Sequence, residues 1–183
     1  GEEITIGELK KDYNAVLIAG GASISRDIKV PGRDLQGIHF AMDFLSQQNK
    51  VCEGDITPIS HINAKGKNVI IIGGGDTGAD CLGTAHRQGA KSVTSLEIMP
   101  KPPISRAVKN PWPEWPKVYK IASAHEEGGE RKYAASTTKF IGNEKNQITA
   151  IEVISVEQVN QPNGTINFVE IPNSKYEIPC DLV

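Results

Sequence analysis

A chain of 183 residues, 38% hydrophobic and 23% charged, is long enough for one globular domain, or for one domain with pieces of a neighbour attached. Its formal net charge of −2 gives no electrostatic reason to expect nucleic acid or an anionic membrane as a partner. No apolar run approaches the ~20 residues that a membrane-spanning helix needs, so membrane insertion is not predicted.

The cysteines and histidines show no spacing typical of a metal site. Cys52, Cys81 and Cys180 form no close pair and no CxxC motif. This pattern argues against a disulfide scaffold, a zinc site or an iron–sulfur cluster within the chain. The N-terminus has no basic segment followed by an apolar core, so no signal peptide is visible and a reducing, cytoplasmic setting is expected. It also lacks an initiator Met, which suggests a processed or excised piece.

The first part of the chain alternates short apolar runs with turns. Val16–Ala19 is typical of a short buried strand and leads directly into Gly20-Gly21-Ala22. A turn-rich connection follows over Arg26–Gly37. His39–Gln48 has helical spacing with an apolar face, and Cys52–Lys67 is predicted to be a polar linker.

The clearest unit begins with Val69–Ile72, a β-branched run of the kind that is buried on both sides in a parallel sheet. Three consecutive glycines then force a tight turn, and Asp76-Thr77 can cap a helix that continues to about Gln88. Ser92–Ile98 returns as a second strand. This order predicts a βαβ unit with a parallel sheet.

The second half of the chain predicts a different kind of sheet. Prolines exclude regular helix from the stretch before residue 117, where Trp112 and Trp115 are expected to anchor the loop, although a minority interpretation has them cover a nicotinamide ring. Val118–Glu127 is predicted to be a short helix. Turn residues then separate three strands that form an antiparallel meander, at Tyr133–Phe140, Ile148–Glu157 and Thr165–Ile171. The chain ends in an apolar strand at Cys180–Val183.

The glycines match a dinucleotide-binding fingerprint, Gly73-x-Gly75-x-x-Gly78, between a strand and a helix. Gly73 permits the tight turn, Gly75 lets the backbone approach a pyrophosphate, and Gly78 lets the helix pack against the sheet. The helix N-terminus offers N–H groups and a positive dipole end to phosphates. The predicted pyrophosphate contacts are therefore Gly73, Gly74, Gly75, Asp76, Thr77 and Gly78. A purely structural glycine turn is the less favoured alternative.

Acidic and basic residues near the end of the second strand leave the choice of cofactor open. Glu97 can accept hydrogen bonds from an adenosine ribose, and its charge favours NADH. Lys101 and Arg106 follow closely and could instead hold the 2′-phosphate of NADPH, or could be solvated loop charges. Asp76 is interpreted as an N-cap, or as a group that reaches ribose or ordered water. No serine or cysteine has an identifiable base partner, so no catalytic side chain is predicted.

Three segments together resemble the small (beta) subunit family of glutamate synthase. They are Gly73-Gly74-Gly75-Asp76-Thr77-Gly78-Ala79-Asp80-Cys81, Glu97-Ile98-Met99-Pro100-Lys101-Pro102-Pro103 and Asn110-Pro111-Trp112-Pro113-Glu114-Trp115-Pro116. The proline–tryptophan stretch is the specific part. The resemblance implies an α/β fold in which a Rossmann-like NAD(P)H-binding domain, with a parallel sheet and an antiparallel three-strand meander, is flanked by partial FAD-domain strands.

The resemblance also implies a division of the chain and a reaction. Residues 1–30 would be part of an FAD domain, 31–66 a connecting helix and linker, 67–172 the NAD(P)H-binding domain, and 173–183 a return strand toward the FAD domain. Members of the family pass hydride from NAD(P)H to FAD. Electrons then reach a large subunit, where 2-oxoglutarate and glutamine-derived ammonia become glutamate. The partners expected are therefore the FAD domain of the same polypeptide and the large subunit.

Two departures from the family pattern predict that the chain is the central part of a longer protein. The FAD fingerprint and the cluster cysteines are absent, and Ala19-Gly20-Gly21-Ala22 replaces the usual Ala-Thr-Gly-Ala turn. The chain alone is thus expected to keep the nicotinamide site but not to hold FAD or turn over. Alternatives are the same domain in a flavoprotein that reduces ferredoxin or pyrimidines, or a non-catalytic nicotinamide-binding module. Unpaired strand edges at the termini could pair two copies into a homodimer.

Overall fold

The computed structural model describes residues 3–19, 24–55 and 61–183. Helices in these ranges are α1 (Ile6–Asp12), α2 (Ala41–Cys52), α3 (Asp76–Arg87) and α4 (Ser123–Glu126). The strands are β1 (Asn68–Ile72), β2 (Ser92–Leu96), β3 (Glu130–Lys132), β4 (Ala135–Gly142), β5 (Ile148–Asn160), β6 (Ile166–Glu170) and β7 (Tyr176–Pro179). In the described part of the chain, no helix combines the length and the hydropathy that crossing a membrane requires.

A parallel sheet in the order β1-β2-β3 forms the base of the predicted βαβ unit. β1 and β2 pair in register from Asn68↔Ser92 to Ile72↔Leu96, with α3 as the connection between them. The prediction of a parallel α/β unit is confirmed, although β2 ends at Leu96 instead of Ile98. β3 was not predicted, because its three residues are all charged and carry no apolar alternation.

An antiparallel sheet follows, and β5 is its central strand. β4 pairs with the first part of β5 and β6 with the last part, so the predicted three-strand meander is confirmed. β7 adds a fourth strand along β5, from Ala150↔Pro179 to Val153↔Tyr176. The strand predicted at Cys180–Val183 is reduced to a single bridge between Leu182 and Val69 of β1. The segment 173–183, predicted to return toward an FAD domain, thus contacts both sheets.

In the described part of the chain, the core consists of two apolar clusters on opposite faces of the parallel sheet. Alternating strand residues separate them, because Val69 and Ile71 point to one face and Ile70 to the other. The first cluster joins α2 and α3 to the sheet through Phe44 and Leu82. The second joins β1 and β2 to the antiparallel sheet; its buried members include Leu96, Phe140, Ile151, Val153 and Cys180. The sheet is therefore covered on both faces near the glycine loop.

Two predicted elements differ from the structure. The strand predicted at Val16–Ala19 does not form: Leu17 is 90% exposed and Ile18 77% exposed. These residues have no strand beside them in the described chain, and an apolar run without a partner strand gains neither ladder hydrogen bonds nor burial. The Gly20-Gly21-Ala22 turn lies outside the described residues.

The helix predicted over Val118–Glu127 is the second difference, because only Ser123–Glu126 is helical. The backbone before α4 makes hydrogen bonds to other parts of the chain. The N–H of Tyr119 donates to the carbonyl of Pro103 at 2.8 Å, and Arg131 donates to the carbonyl of Lys120 at 3.2 Å. These tertiary bonds take the place of helical ones, so residues 117–122 run as irregular chain beside the loop at residue 103.

Candidate dinucleotide site

The loop between β1 and α3, together with Glu97, forms what we call the glycine corner (residues 73–78 and Glu97). Gly73 has a φ of 120°, a conformation that side-chain-bearing residues rarely adopt. Its N–H donates to the Leu96 carbonyl at 2.8 Å, which holds the turn against β2. A Cβ on Gly78 would collide with the carbonyl oxygen of Gly73. The turn and the close helix packing predicted for these two glycines are therefore present.

Helix α3 begins without a side-chain cap. Its N-cap is Gly75, and the first bond into the helix runs from the Ala79 N–H to the Gly75 carbonyl at 3.0 Å. The prediction that Asp76 caps the helix is wrong, because Asp76 is already the first helical residue. In the described part of the chain, the N–H groups of Asp76, Thr77 and Gly78 have no protein acceptor. They are the orphan donors of a helix start and carry its positive dipole end.

Open space lies in front of these donors. A Cβ built on Gly75 would meet no atom within 4 Å. A cavity of about 780 Å³ reaches from this side of the glycine loop to residues 25–28, 38–42 and Phe44. Its size is within the usual range for small-molecule and cofactor sites. The corner thus fits a pyrophosphate: a bare backbone, unsatisfied N–H donors and room for the group between them.

Glu97 makes contacts that the sequence did not reveal. It directly follows β2; one carboxylate oxygen accepts the Gly74 N–H at 2.8 Å and the other accepts the Met99 N–H at 3.1 Å. A Cβ on Gly74 would collide with this carboxylate. Glu97 therefore braces the glycine loop, and a side chain at position 74 would displace its carboxylate. Each oxygen keeps acceptor capacity, because a carboxylate can accept about four hydrogen bonds.

Residues 101–116, the proline–tryptophan segment, are held by polar side chains. Arg106 Nη1 donates to the carbonyls of Asn110 and Glu114, both at 3.0 Å. The Asn110 side chain donates to the Trp115 carbonyl and to the Glu114 carboxylate, both at 3.0 Å, and accepts the Lys117 N–H at 2.8 Å. Asn110 is only 6% exposed. It was not predicted, since its role depends on where the surrounding carbonyls point.

The two tryptophans do not anchor this segment, contrary to the prediction. Trp112 is 83% exposed and Trp115 is 76% exposed. Within residues 3–19, 24–55 and 61–183, the one ring contact of these two side chains is with the ammonium of Lys120, 4.3 Å from the centre of the Trp115 ring. Arg106, predicted as a conditional phosphate ligand, is itself exposed and uses part of its guanidinium on the segment's carbonyls. Arg106 therefore holds the proline–tryptophan segment, whereas Glu97 holds the glycine loop.

Lys101 lies in a cationic group that sequence reasoning did not find. Its ammonium is 4.9 Å from the ring centre of Tyr119, and the guanidinium carbon of Arg131 is 4.6 Å from the same centre. Arg131 also donates to the Tyr119 hydroxyl. Tyr119 lies in irregular chain, Arg131 lies on β3 and neither belongs to a motif, so no sequence signal could have joined them.

The buried thiols are poor nucleophiles. Burial, reinforced by a neighbouring aspartate in each case, raises the pKa of Cys81 to about 11 and that of Cys180 to about 12. Both thiols therefore stay protonated near neutral pH and are neither reactive nor ready to ligate a metal. Among the described residues, no three His, Cys, Asp or Glu side chains come together as a metal site would require.

Comparison with known proteins identifies relatives along the whole chain. A model of the pyridine nucleotide-disulphide oxidoreductase family matches residues 2–182. The chain is 46% identical, over its full length, to the glutamate synthase (NADPH) small chain of Mycobacterium tuberculosis, and it covers 37% of that protein. It is 41% identical to the glutamate synthase (NADH) of Saccharomyces cerevisiae, of which it covers 9%. The resemblance to glutamate synthase is thus confirmed, while the chain spans well under half the length of these relatives.

The fold also matches solved structures. FprA of Mycobacterium tuberculosis in complex with NADPH superimposes with a TM-score of 0.62 at 16% sequence identity, covering 98% of this chain and 51% of FprA. At that identity the likeness shows the fold alone. It confirms the α/β fold class predicted from the βαβ unit and the meander.

Proposed function

Because the chain belongs to the pyridine nucleotide-disulphide oxidoreductase family, we propose that it is the NAD(P)H-binding, electron-input domain of a flavin-dependent glutamate synthase. In this proposal the domain holds reduced nicotinamide against FAD carried by the same polypeptide. A large subunit or domain then uses the electrons to form glutamate from 2-oxoglutarate and glutamine. The observation that carries the proposal is the glycine corner, where unsatisfied N–H groups face open space.

The pyrophosphate would lie over Gly75, where a Cβ is missing and the first turn of α3 presents its N–H groups. Charge-assisted hydrogen bonds from backbone N–H to phosphate are about twice as strong as neutral ones, and the helix dipole adds to them. The residues that would surround it are Gly73, Gly74, Gly75, Asp76, Thr77 and Gly78. Asp76 is exposed at the rim, so we assign it to ribose or an ordered water and not to a phosphate.

Glu97 would have two roles in this site. It braces Gly74 from below, which fixes the loop before any ligand arrives, and its remaining lone pairs would accept the hydroxyls of the adenosine ribose. We also propose that Arg106 contacts the 2′-phosphate when the ligand is NADPH. It would use the guanidinium N–H groups that do not bond to carbonyls of the proline–tryptophan segment.

The residues of this chain supply position and not chemistry. Bound NAD(P)H would provide a hydride that FAD accepts, and neither step needs an acid or a base from the protein. What the glycine corner contributes is orientation: it fixes the dinucleotide at its centre, so that the nicotinamide end is placed by the rest of the molecule.

Calorimetric titration with NADPH and, separately, with NADH tests the proposal. We expect saturable binding of at least one dinucleotide, lost on Gly75→Val because the new side chain fills the space meant for the pyrophosphate. Gly7→Val is the matched control: it adds the same side chain on α1, where a Cβ would meet only the Thr5 hydroxyl at 3.8 Å. The proposal is wrong if neither dinucleotide binds, or if both variants bind like the unaltered protein.

The electron acceptor needs a second assay. Glutamate formation from 2-oxoglutarate and glutamine is measured with the intact protein and its large subunit, using the dinucleotide that binds. Gly75→Val should abolish turnover with that dinucleotide, whereas Gly7→Val should not. Oxidation of the dinucleotide without glutamate formation would instead support a flavoprotein with another acceptor.

A further inference from the structure

The cavity beside the glycine corner has one wall that is held by side chains. This wall, which we call the outer wall, is residues 25–28, and it lines the cavity together with Arg33 and Phe40. The outer wall is neither helix nor strand, and in the described part of the chain its backbone makes no hydrogen bond to other backbone groups. Ile28 packs against the second apolar cluster. Side-chain contacts therefore keep the outer wall at the cavity.

Arg33 links the outer wall to the start of α2. Its Nε donates to a carboxylate oxygen of Asp27 at 2.6 Å, and the same oxygen accepts the Ile28 N–H at 2.9 Å. The guanidinium carbon of Arg33 is 4.9 Å from the centre of the Phe40 ring, and the side chain is only 25% exposed. The hydrogen bond from Arg33 lowers the pKa of Asp27, so this carboxylate is charged near neutral pH. The guanidinium thus lies between the outer wall and the residue that precedes α2.

The backbone of Arg33 is held against β4. Arg33 lies in a turn at residues 31–34, where the Leu35 N–H donates to the Gly32 carbonyl at 3.1 Å. The Phe140 N–H of β4 donates to the Pro31 carbonyl at 2.9 Å. A Cβ on Gly32 would collide with the Phe140 carbonyl oxygen, so the turn packs closely on the strand. One guanidinium therefore joins a firmly held turn to a wall that has no backbone hydrogen bonds of its own.

The cavity can hold the half of a dinucleotide that the glycine corner does not. Gly75 and Thr77 are among the described residues that line it, whereas Glu97, assigned to the adenosine ribose, is not. A dinucleotide with its pyrophosphate at the corner and its adenosine at Glu97 would therefore extend its other half into the cavity. Apolar side chains such as Ile28 and Phe40 form much of the lining, which suits an uncharged dihydronicotinamide ring.

We propose that Arg33 is a positioning residue for the nicotinamide half of NAD(P)H: by pairing with Asp27 and stacking on Phe40, it holds the outer wall where the nicotinamide riboside binds. This inference rests on the proposed function and deepens it. A wall that is fixed before the ligand arrives does not have to be ordered when the ligand binds, which favours affinity. It also restricts the orientation of the nicotinamide ring, which hydride transfer requires.

The test compares two ligands, titrated calorimetrically into the protein: 5′-ADP, which has no nicotinamide riboside, and whichever of NADH and NADPH binds more tightly. We expect Arg33→Met to weaken the dinucleotide by roughly 10-fold and 5′-ADP by less than about 2-fold, because only the dinucleotide has to order the outer wall. Asp27→Asn should act in the same direction. Adding it to Arg33→Met should cause little further loss, since the two side chains act as one pair.

Two further variants sharpen the comparison. Arg33→Lys should recover part of the lost affinity, because an ammonium can still pair with Asp27. Arg87→Met is the matched control: it removes another arginine paired with a carboxylate, that of Glu127 at 3.5 Å, in the last turn of α3 and outside the cavity lining. This control should leave the affinities for both ligands unchanged.

The inference is wrong if Arg33→Met leaves the dinucleotide affinity unchanged, or if it weakens 5′-ADP equally, because Arg33 would then act on the fold as a whole. A loss in Arg33→Met without one in Asp27→Asn would also overturn it, because Arg33 would then bind the ligand directly. If Arg33→Met does not fold, Asp27→Asn decides by the same comparison. A dinucleotide that binds no more tightly than 5′-ADP refutes this inference only, whereas binding of neither ligand refutes the proposed function as well.

Discussion

The glycine corner and the proline–tryptophan segment are both irregular chain, but they are held in opposite ways. In the corner, the contacts are made by glycine backbone: Gly78 lies against the Gly73 carbonyl, and Gly74 against the carboxylate of Glu97. In the segment, two polar side chains, Arg106 and Asn110, hold backbone carbonyls while the large apolar side chains face solvent. Close contact at the backbone restricts the residue type at each position of the corner. In the segment, a few side chains make the holding contacts, so the other side chains are available to bind a ligand or a partner.

The largest effect should come from Gly78→Ala. The added Cβ would meet the Gly73 carbonyl oxygen, which is backbone and has no rotamer to move into, so the helix must shift away from the sheet. We expect a loss of unfolding free energy of about 3 kcal/mol, at the upper end of what overpacking usually costs. At roughly 2–4 °C per kcal/mol for a chain of this size, thermal unfolding should show a clear fall in Tm.

Gly75→Ala is the control within the same loop. Its φ of −78° suits any residue and its Cβ would meet nothing within 4 Å. Only the weaker N-cap propensity of alanine should be felt, which is below about 1 kcal/mol. An equal loss of stability at both positions would mean that the close approach of α3 does not require the glycine at position 78.

A smaller and more local effect is expected from Asn110→Ala. The substitution removes three side-chain hydrogen bonds, and it leaves the Trp115 carbonyl and the Lys117 N–H without their partner. The cost of about 1–3 kcal/mol should appear as local opening of the segment. Hydrogen exchange of the Lys117 amide should accelerate by roughly 5- to 100-fold, while exchange in the glycine corner stays unchanged.

Asn143→Ala provides the comparison for that measurement. Asn143 also accepts backbone N–H groups, from Lys145 and Gln147, but in the exposed turn between β4 and β5. Its loss should leave exchange in the proline–tryptophan segment as it was. If Asn110→Ala likewise leaves the Lys117 amide protected, the segment is held by something other than Asn110.

The corner could be predicted because its signals are local. A β-branched run, three glycines and a fourth at position 78 follow one another within a few residues, and each has a backbone reason to be there. Two details of the corner could not be predicted from the sequence. The bond between Gly74 and Glu97 joins residues 23 positions apart, and no spacing rule foretells it. Asp76 was expected to cap α3, but the glycine before it occupies the cap position.

The segment could be predicted as irregular but not in how it is held. Tryptophan is usually well buried, which is why Trp112 and Trp115 were expected to anchor the loop. The buried residue is instead the polar Asn110. Its hydrogen bonds depend on the directions of the surrounding backbone carbonyls, which are set only in the folded chain. Similarly, the three charged residues of β3 form a strand only because they pair with the edge of β2.

The smallest effects should come from the tryptophans, and they test the comparison most directly. Trp112→Ala should change the unfolding free energy by less than about 0.5 kcal/mol, as surface substitutions do. Trp115→Ala should cost up to about 1 kcal/mol, because it removes the contact with Lys120. Denaturant unfolding measures both, and acrylamide quenching of the only two tryptophans in the chain should report exposed indoles. A loss above 2 kcal/mol, or indoles shielded from acrylamide, would mean that another surface covers the segment in solution, and the contrast with the glycine corner would then hold only for the isolated chain.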